Sequence, residues 1–389
     1  MVYPKTIVLD GVQLAKTKAQ LVTGKHASLQ QSLNILEGRA QKWLAQGPWS
    51  VVNKTNPPPS GDVHDYTSQA PYWWPSDTPD GRPYVRRDGE KNPEIYKYTD
   101  RRDVEKVFKA SYELSLAWFY TCNDAYSRHA ANILRTWFLS PATRMNPNLN
   151  HAQMIPHANT GRCIGIIDFS QGYTNVLDAA FILAGDPCGQ PAPGWTNSDV
   201  EEFRQWNVAF LDWLTNSGFG REESMQKNNH GAFASMQKAA IARFVGSDEQ
   251  ARQEMRDIQD RIDVCIAPDG SQPEELTRTR SWHYSIFNLL ALTRAAAIGK
   301  QIEVDLWSYQ GPQGQSIMRA IEYLIPPAMG GSPWIHSEID FLPSAAADVV
   351  RDAAAAGSEP AQRAILELQL PLEDIWALRP TPEQLDPVK

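Results

Sequence analysis

Lys227-Asn-Asn-His-Gly-Ala-Phe-Ala-Ser-Met-Gln-Lys-Ala-Ala-Ile-Ala-Arg-Phe-Val245 is the stretch on which the reading of this chain turns. Polar residues open it, and an apolar, helix-forming run over 231–245 follows. A polar loop, 218–226, precedes it. Two amides and an imidazole in adjacent positions at the mouth of a helix can converge on one small anionic group. The plainer alternative is that one Asn is an N-cap, since Asn is among the best capping residues.

Outward from this stretch, apolar residues recur at helical spacing over 9–21, 28–44, 100–120, 124–139, 173–183, 198–214, 247–266, 282–298, 315–324, 345–356 and 360–368. Ser198 with Glu201, and Ser247 with Gln250, have the spacing of capping boxes. No alternating Val/Ile run marks a strand. Consecutive helical hairpins without a fixed repeat weigh against a solenoid. The expected fold is all-α, an α/α toroid or incomplete barrel of helical hairpins, as one domain over 1–389. Long loops are expected to build a groove. The most prominent loop, about 57–98, is rich in Pro, Gly and aromatics; a loop of this length inside a domain is usually functional.

Composition bounds the function. At 389 residues, 42% of them hydrophobic and 21% charged, the chain can bury a large core. The formal charge of −8 argues against nucleic acid as partner. An acidic glycan stays open, because local field matters more than net charge. Thirteen Trp, many in polar contexts, suit carbohydrate stacking, although core Trp are as common. No apolar run spans a bilayer, so no membrane partner is expected. The N-terminus lacks the apolar core of a signal peptide, which leaves a cytoplasmic protein or one whose signal has been removed; a secreted or periplasmic protein is expected, and a monomer. Cys122, Cys163, Cys188 and Cys265 lack metal-type spacing; disulfides and buried free thiols are equally open. No metal or other cofactor is expected.

A second polar cluster, Arg278-Thr-Arg-Ser-Trp-His-Tyr284, follows one hairpin later. A helix starting near Ser281 lets the Tyr284 ring share a face with one guanidinium, Arg278 or Arg280. The alternative is a solvated loop leading into a helix, with Tyr284 in the core. Asn, His, Arg and Tyr together suit β-elimination at a uronic acid. Removing the C5 proton builds negative charge on the adjoining carboxylate, which neutral and cationic donors stabilise. A base must take that proton and an acid must protonate the leaving oxygen. A Tyr beside an Arg can have its phenol pKa lowered enough to serve as base and then return the proton.

Several stretches resemble the alginate-lyase domain superfamily. They are His64-Asp-Tyr-Thr-Ser-Gln-Ala-Pro-Tyr-Trp-Trp-Pro75, Arg86-Arg-Asp-Gly-Glu90, Asn92-Pro-Glu94, Asn159-Thr-Gly-Arg-Cys-Ile-Gly-Ile-Ile-Asp168, Asn228-Asn-His230 and Glu275-Leu-Thr-Arg-Thr-Arg-Ser-Trp-His-Tyr284. The match is closest to polysaccharide lyase family thirty-eight, with family five a more distant relative. The resemblance implies an α/α toroid and metal-independent lysis of alginate or glucuronan. It implies that Asn229 and His230 neutralise the substrate carboxylate, that Tyr284 is base and acid, and that an Arg supports it. Arg278 fits the family thirty-eight spacing, whereas the family five spacing differs by one residue. The loop holding Gln69, Tyr72, Trp73 and Trp74 is implied to wall the cleft, with the rings stacking on sugars and Gln69 donating to hydroxyls. At least one of the two Trp is expected to face inward. Arg162 and His157 are candidates for the same groove, with an Arg162–Asp168 tie as the structural alternative for Arg162. Asn228, Arg280 and His283 complete the candidate substrate-binding set.

Two other readings compete. A toroidal glycoside hydrolase needs two facing carboxylates, for which Glu222 with Glu223, Asp269, and Glu274 with Glu275 are candidates. A non-catalytic glycan-binding protein needs only the aromatic loop.

Overall fold

Fifteen stretches of the described residues close into α-helices. The structure is a computed structural model that describes residues 3–185, 191–370 and 373–381. In chain order the helices begin with α1 (Gly11–Val22), α2 (Ala27–Leu44), α3 (Asp100–Thr121), α4 (Asp124–Leu134), α5 (Ile167–Ser170), α6 (Tyr173–Ala184), α7 (Asn197–Asn216) and α8 (Gly218–Ser224). They continue with α9 (Asn229–Val245), α10 (Asp248–Cys265), α11 (Pro273–Leu276), α12 (Ser281–Gln301), α13 (Ile317–Ala328), α14 (Ala347–Ala355) and α15 (Glu359–Ala364). Four short strands are present among the described residues that the sequence pattern does not announce. β1 (Thr67–Gln69) pairs in parallel with β4 (His151–Met154), and β2 (Trp73–Trp74) pairs antiparallel with β3 (Val85–Arg86).

Both expected capping boxes are corrected. The box at the start of α7 is Thr196 with Asp199: the Thr196 hydroxyl accepts the Asp199 N–H at 3.2 Å, and the Asp199 carboxylate accepts the Thr196 N–H at 2.8 Å. Ser198 already lies inside the first turn, where its hydroxyl donates to Glu202. Ser247 precedes α10 but makes no side-chain cap; its N–H instead closes the end of α9 on the Ala242 carbonyl at 2.8 Å. Residues 135–139 continue the coil of α4 as a wider turn, with the Ser140 N–H on the Arg135 carbonyl at 2.8 Å. Helix α13 runs through Pro326 and Pro327 to Ala328, beyond the expected end at 324. Its buried face of Ile317, Ile321, Leu324 and Ile325 holds it there.

The chain forms two compact units, residues 39–223 and residues 1–38 with 224–389. The core of the first is aromatic. Phe108, Phe138, Phe169, Tyr173, Phe203 and Phe210 are essentially buried. Their rings meet mostly edge-on or tilted, as in Phe108–Phe169 at 5.1 Å and Phe138–Phe203 at 5.2 Å. Each such ring stabilises the unit by about 1.5–3 kcal/mol on burial.

Buried polar groups fix the loop that carries β1 to this core. Asp168, fully buried, accepts from the Ser68 hydroxyl at 2.6 Å, the Gln153 amide at 2.8 Å and the Tyr66 hydroxyl at 3.1 Å. The Arg101 guanidinium lies 3.4 Å from it. Beside it the Lys54 ammonium meets the Asp100 carboxylate at 2.6 Å, with both side chains 1% exposed. Asp100 also accepts the Thr67 N–H at 2.9 Å. Burial dominates both partners, raising the Asp100 carboxyl to about 6 and lowering the Lys54 ammonium.

Lys54→Met is therefore expected to strand a buried carboxylate and cost about 3–5 kcal/mol at neutral pH. Because the folded-state pKa of Asp100 already lies above its unfolded value of 3.8, ionisation in the folded state is what costs. Without Lys54 the carboxyl rises further, so the deficit shrinks as pH falls towards about 6, below which the carboxyl is protonated in wild type and variant alike. Denaturant unfolding of wild type and variant at neutral pH and in mild acid checks this; equal deficits at both would refute it.

In the other unit α9 packs against α10 and α12. Small and apolar residues make these contacts, with the Phe233 and Phe287 rings 4.5 Å apart. Gly246 ends α9 in the left-handed conformation at φ 88°, where Gly costs least. Helix α12 is buried on nearly every side, which explains its uninterrupted apolar sequence.

Candidate active site

The start of α9 is built by its neighbours. The Asn228 side chain accepts the His230 N–H at 3.2 Å and is the N-cap. From α10, Arg261 donates to the Gln226 carbonyl at 2.8 Å, to the Ser224 carbonyl and to the Ser235 hydroxyl. Gly231 leaves room for this clamp: a Cβ there would lie 2.0 Å from the Gln226 carbonyl oxygen and 2.1 Å from Arg261 Nη1. The Cys265 thiol adds a bond to the Lys227 carbonyl. The polar tetrad is thus held from three sides, and Gly follows it for a steric reason.

Asn229 is fully buried. Its backbone N–H donates to Glu275 Oε1 at 2.6 Å and its side-chain Nδ2 donates to Glu275 Oε2 at 2.8 Å. Glu275, on the single turn α11, is itself 1% exposed. Burial raises its carboxyl above the usual range, while the two Asn229 bonds and the charges of Arg278 and His230 pull it back. Those four groups therefore share one electrostatic neighbourhood. His230 and Arg278 are half-buried and open to a solute.

The two arginines of the second cluster part company. Arg278 lies flat over Tyr284, its guanidinium carbon 3.7 Å from the ring centroid. Arg280 is 6% exposed and points to Glu338, with Nε 3.9 Å from Oε1. His283 stacks on Phe287 at 5.8 Å and stands edge-on to Tyr284 at 5.3 Å.

Arg280 is held by a strap, residues 330–343, that fastens the start of α12. The Ser281 N–H and hydroxyl both donate to the Ser337 carbonyl, at 3.0 and 2.6 Å. The His283 N–H donates to Glu338 at 3.2 Å. Trp334 donates to the Ser281 hydroxyl at 2.8 Å, and Trp282 to the Leu342 carbonyl at 2.8 Å. Free N–H groups of the first turn are satisfied this way, with a carboxylate at the positive end of the helix. Tyr284 sits in that turn.

In the unit of residues 39–223, Tyr72, Trp73 and Trp74 are all half-buried. Neither Trp turns fully inward; adjacent on a strand, they face opposite sides. Arg162 lies over Trp73 at 5.5 Å and Arg87 over Trp74 at 5.2 Å, while Asp168 is held by the four groups described above. Burial lowers the Arg162 guanidinium. Gln69 is only 4% exposed, and its amide nitrogen is buried without a partner, so its donation to a sugar hydroxyl would require exposure that this conformation lacks. His157 is exposed and bonds Arg82 at 2.9 Å.

The hydrolase carboxylates do not form a usable pair within either unit. Glu274 is exposed while Glu275 is consumed by Asn229, and Asp269 caps a turn on the Ser271 N–H. Glu222 is exposed and Glu223 buried. Glu275, weighed from sequence only as a hydrolase carboxylate, and Glu338 are the residues that the lyase reading did not place in the site. Among the described residues no group of three His, Cys, Asp or Glu is gathered as a metal would need, and no helix is long and apolar enough to cross a membrane. Cys122, Cys163 and Cys265 are free thiols, the latter two buried; Cys188 lies outside the described residues.

The largely helical architecture, taken with the family match that follows, makes this chain a polysaccharide lyase of the α/α-toroid class. The chain belongs to the alginate lyase family, whose model matches residues 50–334. An alginate lyase from Bacteroides ovatus is 30% identical, with 98% of this chain and 100% of that chain covered and a TM-score of 0.90. Alginate lyase A1-III from Sphingomonas species A1 is 18% identical over 90% of this chain and 95% of its own, with a TM-score of 0.54. A variant of A1-III complexed with tetrasaccharide is 17% identical over 91% and 95%, with a TM-score of 0.55. At such identities the likeness concerns the fold alone. No curated protein sequence matches this chain.

Proposed function

We propose that this lyase cleaves a 1,4-linked polyuronate, alginate or glucuronan, by β-elimination without a metal. The observation that carries the reading is the guanidinium of Arg278 lying 3.7 Å over the Tyr284 ring. A fixed positive charge there favours a phenolate able to take the C5 proton. The same phenol then returns a proton to the leaving glycosidic oxygen. Charge that develops on the uronate carboxylate is met by His230 and Arg278, both half-exposed. Asn229 is buried with its amide nitrogen engaged, so in this reading it supports those two from behind. Tyr72, Trp73 and Trp74 offer faces for sugar rings, with Arg162 behind Trp73. A polysaccharide of this kind is met outside the cytoplasm, which suits secretion or the periplasm.

Incubation with alginate blocks, glucuronan and hyaluronan tests this. Products with an ultraviolet-absorbing unsaturated end are expected from the first or second, and turnover should survive exhaustive chelation. Saturated products that incorporate water would overturn the lyase chemistry. Loss of turnover on chelation, restored by Ca²⁺, would overturn the metal-free carboxylate neutralisation.

A further inference from the structure

The family's chemistry leaves a buried carboxylate, Glu275, without a task. It is almost fully enclosed, yet it stands among the groups that would do the reaction. A buried carboxylate is unfavourable unless its oxygens are satisfied. Here both are satisfied by a single residue, through the Asn229 backbone N–H at 2.6 Å and the Asn229 Nδ2 at 2.8 Å.

We propose that Glu275 is a positioning residue for the elimination, acting through Asn229 and the first turn of α9. The proposal rests on the lyase reading above. Two bonds to one residue fix both its backbone and its side-chain rotation. The amide nitrogen is turned to Glu275, and the carbonyl oxygen Oδ1 is left buried without a partner. The backbone bond anchors the N–H at the first position of α9, a donor that no helical carbonyl can satisfy. His230 is the next residue, so the same bond sets where the imidazole starts. The charge of Glu275 also lies in the field of Arg278 and His230.

A double-mutant cycle tests this. Glu275→Gln keeps the shape but offers one acceptor for two donors, and its own NH₂ faces the other. We expect kcat to fall roughly ten- to a hundredfold, with KM changed far less, as for a displaced group in the transition state. In an Asn229→Ala background the same substitution should cost less than about threefold, because its main target is gone. A purely structural Glu275 would lower the melting temperature and cost the same factor in both backgrounds; that additivity would overturn the proposal. Should Glu275→Gln fail to fold, Glu275→Asp, which keeps the charge and shortens the reach, enters the cycle with the same criterion. A wild type that makes no unsaturated product removes the lyase reading and this inference with it. A wild type that makes it, together with additive variants, removes this inference alone.

Discussion

Tyr284→Phe is expected to lower kcat by at least about a thousandfold on every polyuronate the enzyme accepts. General acid–base groups contribute about two to four orders of magnitude each, and here one phenol serves in both steps. The substitution removes a single oxygen. The ring stays under the Arg278 guanidinium and within the buried first turn of α12, so the melting temperature should barely move. KM should change far less than kcat, because the lost interaction belongs to the transition state. For one epimer of the uronate, His230 is the alternative base, with Tyr284 as acid only; the variant is still impaired there. Near-normal turnover on every substrate would remove Tyr284 from the mechanism.

The second large effect separates the two arginines. Arg278→Ala should reduce kcat/KM by about 10²–10³, the usual cost of removing one charge-stabilising donor, without loss of stability beyond that of a half-exposed side chain. Arg280→Ala should act on folding. It leaves the Glu338 side chain without its cation, held only by the His283 and Asp340 N–H groups, at a cost of about 1–3 kcal/mol, and loosens the strap rather than the chemistry. Steady-state kinetics and thermal melts of both variants decide the matter. If the Arg280 variant melts normally but loses turnover while the Arg278 variant keeps it, the assignment is reversed.

Much of the helical framework was legible in the sequence because its signal is periodic and local. Helix α9 reads directly from an Ala-rich run closed by Gly246, and α3 from its apolar face. The strands were not legible, because nothing in their own residues makes them. β1 and β4 are joined through Ser68, Gln153 and Asp168, which come from distant parts of the chain. The two capping boxes misread by spacing show the same limit: Thr196 and Asp199 have the same spacing two residues earlier, and only the true start of α7 chooses between them.

The candidate site divides along similar lines. Local spacing brings either arginine near Tyr284, and helical geometry alone favours Arg280, four residues away. Glu338 decides otherwise by taking Arg280, and no pattern around residue 280 reveals a partner so far along the chain. Glu275 reads as half of a solvated acidic pair with Glu274. One turn of helix beginning at Pro273 sends Glu274 outward and Glu275 inward to Asn229. The donors were visible as residue types; which of them are buried, and which face a solute, was settled by packing.

The strap that fastens α12 also imposes an order on biogenesis. His230, Arg278 and Tyr284 leave the ribosome well before Trp334, Ser337, Glu338 and Leu342. A nascent chain therefore holds every proposed reacting group while the first turn of α12 still has open N–H groups. Registration of the phenol waits for the closing stretch, and a polypeptide released before residue 343 would possess the reagents without the jig that aligns them.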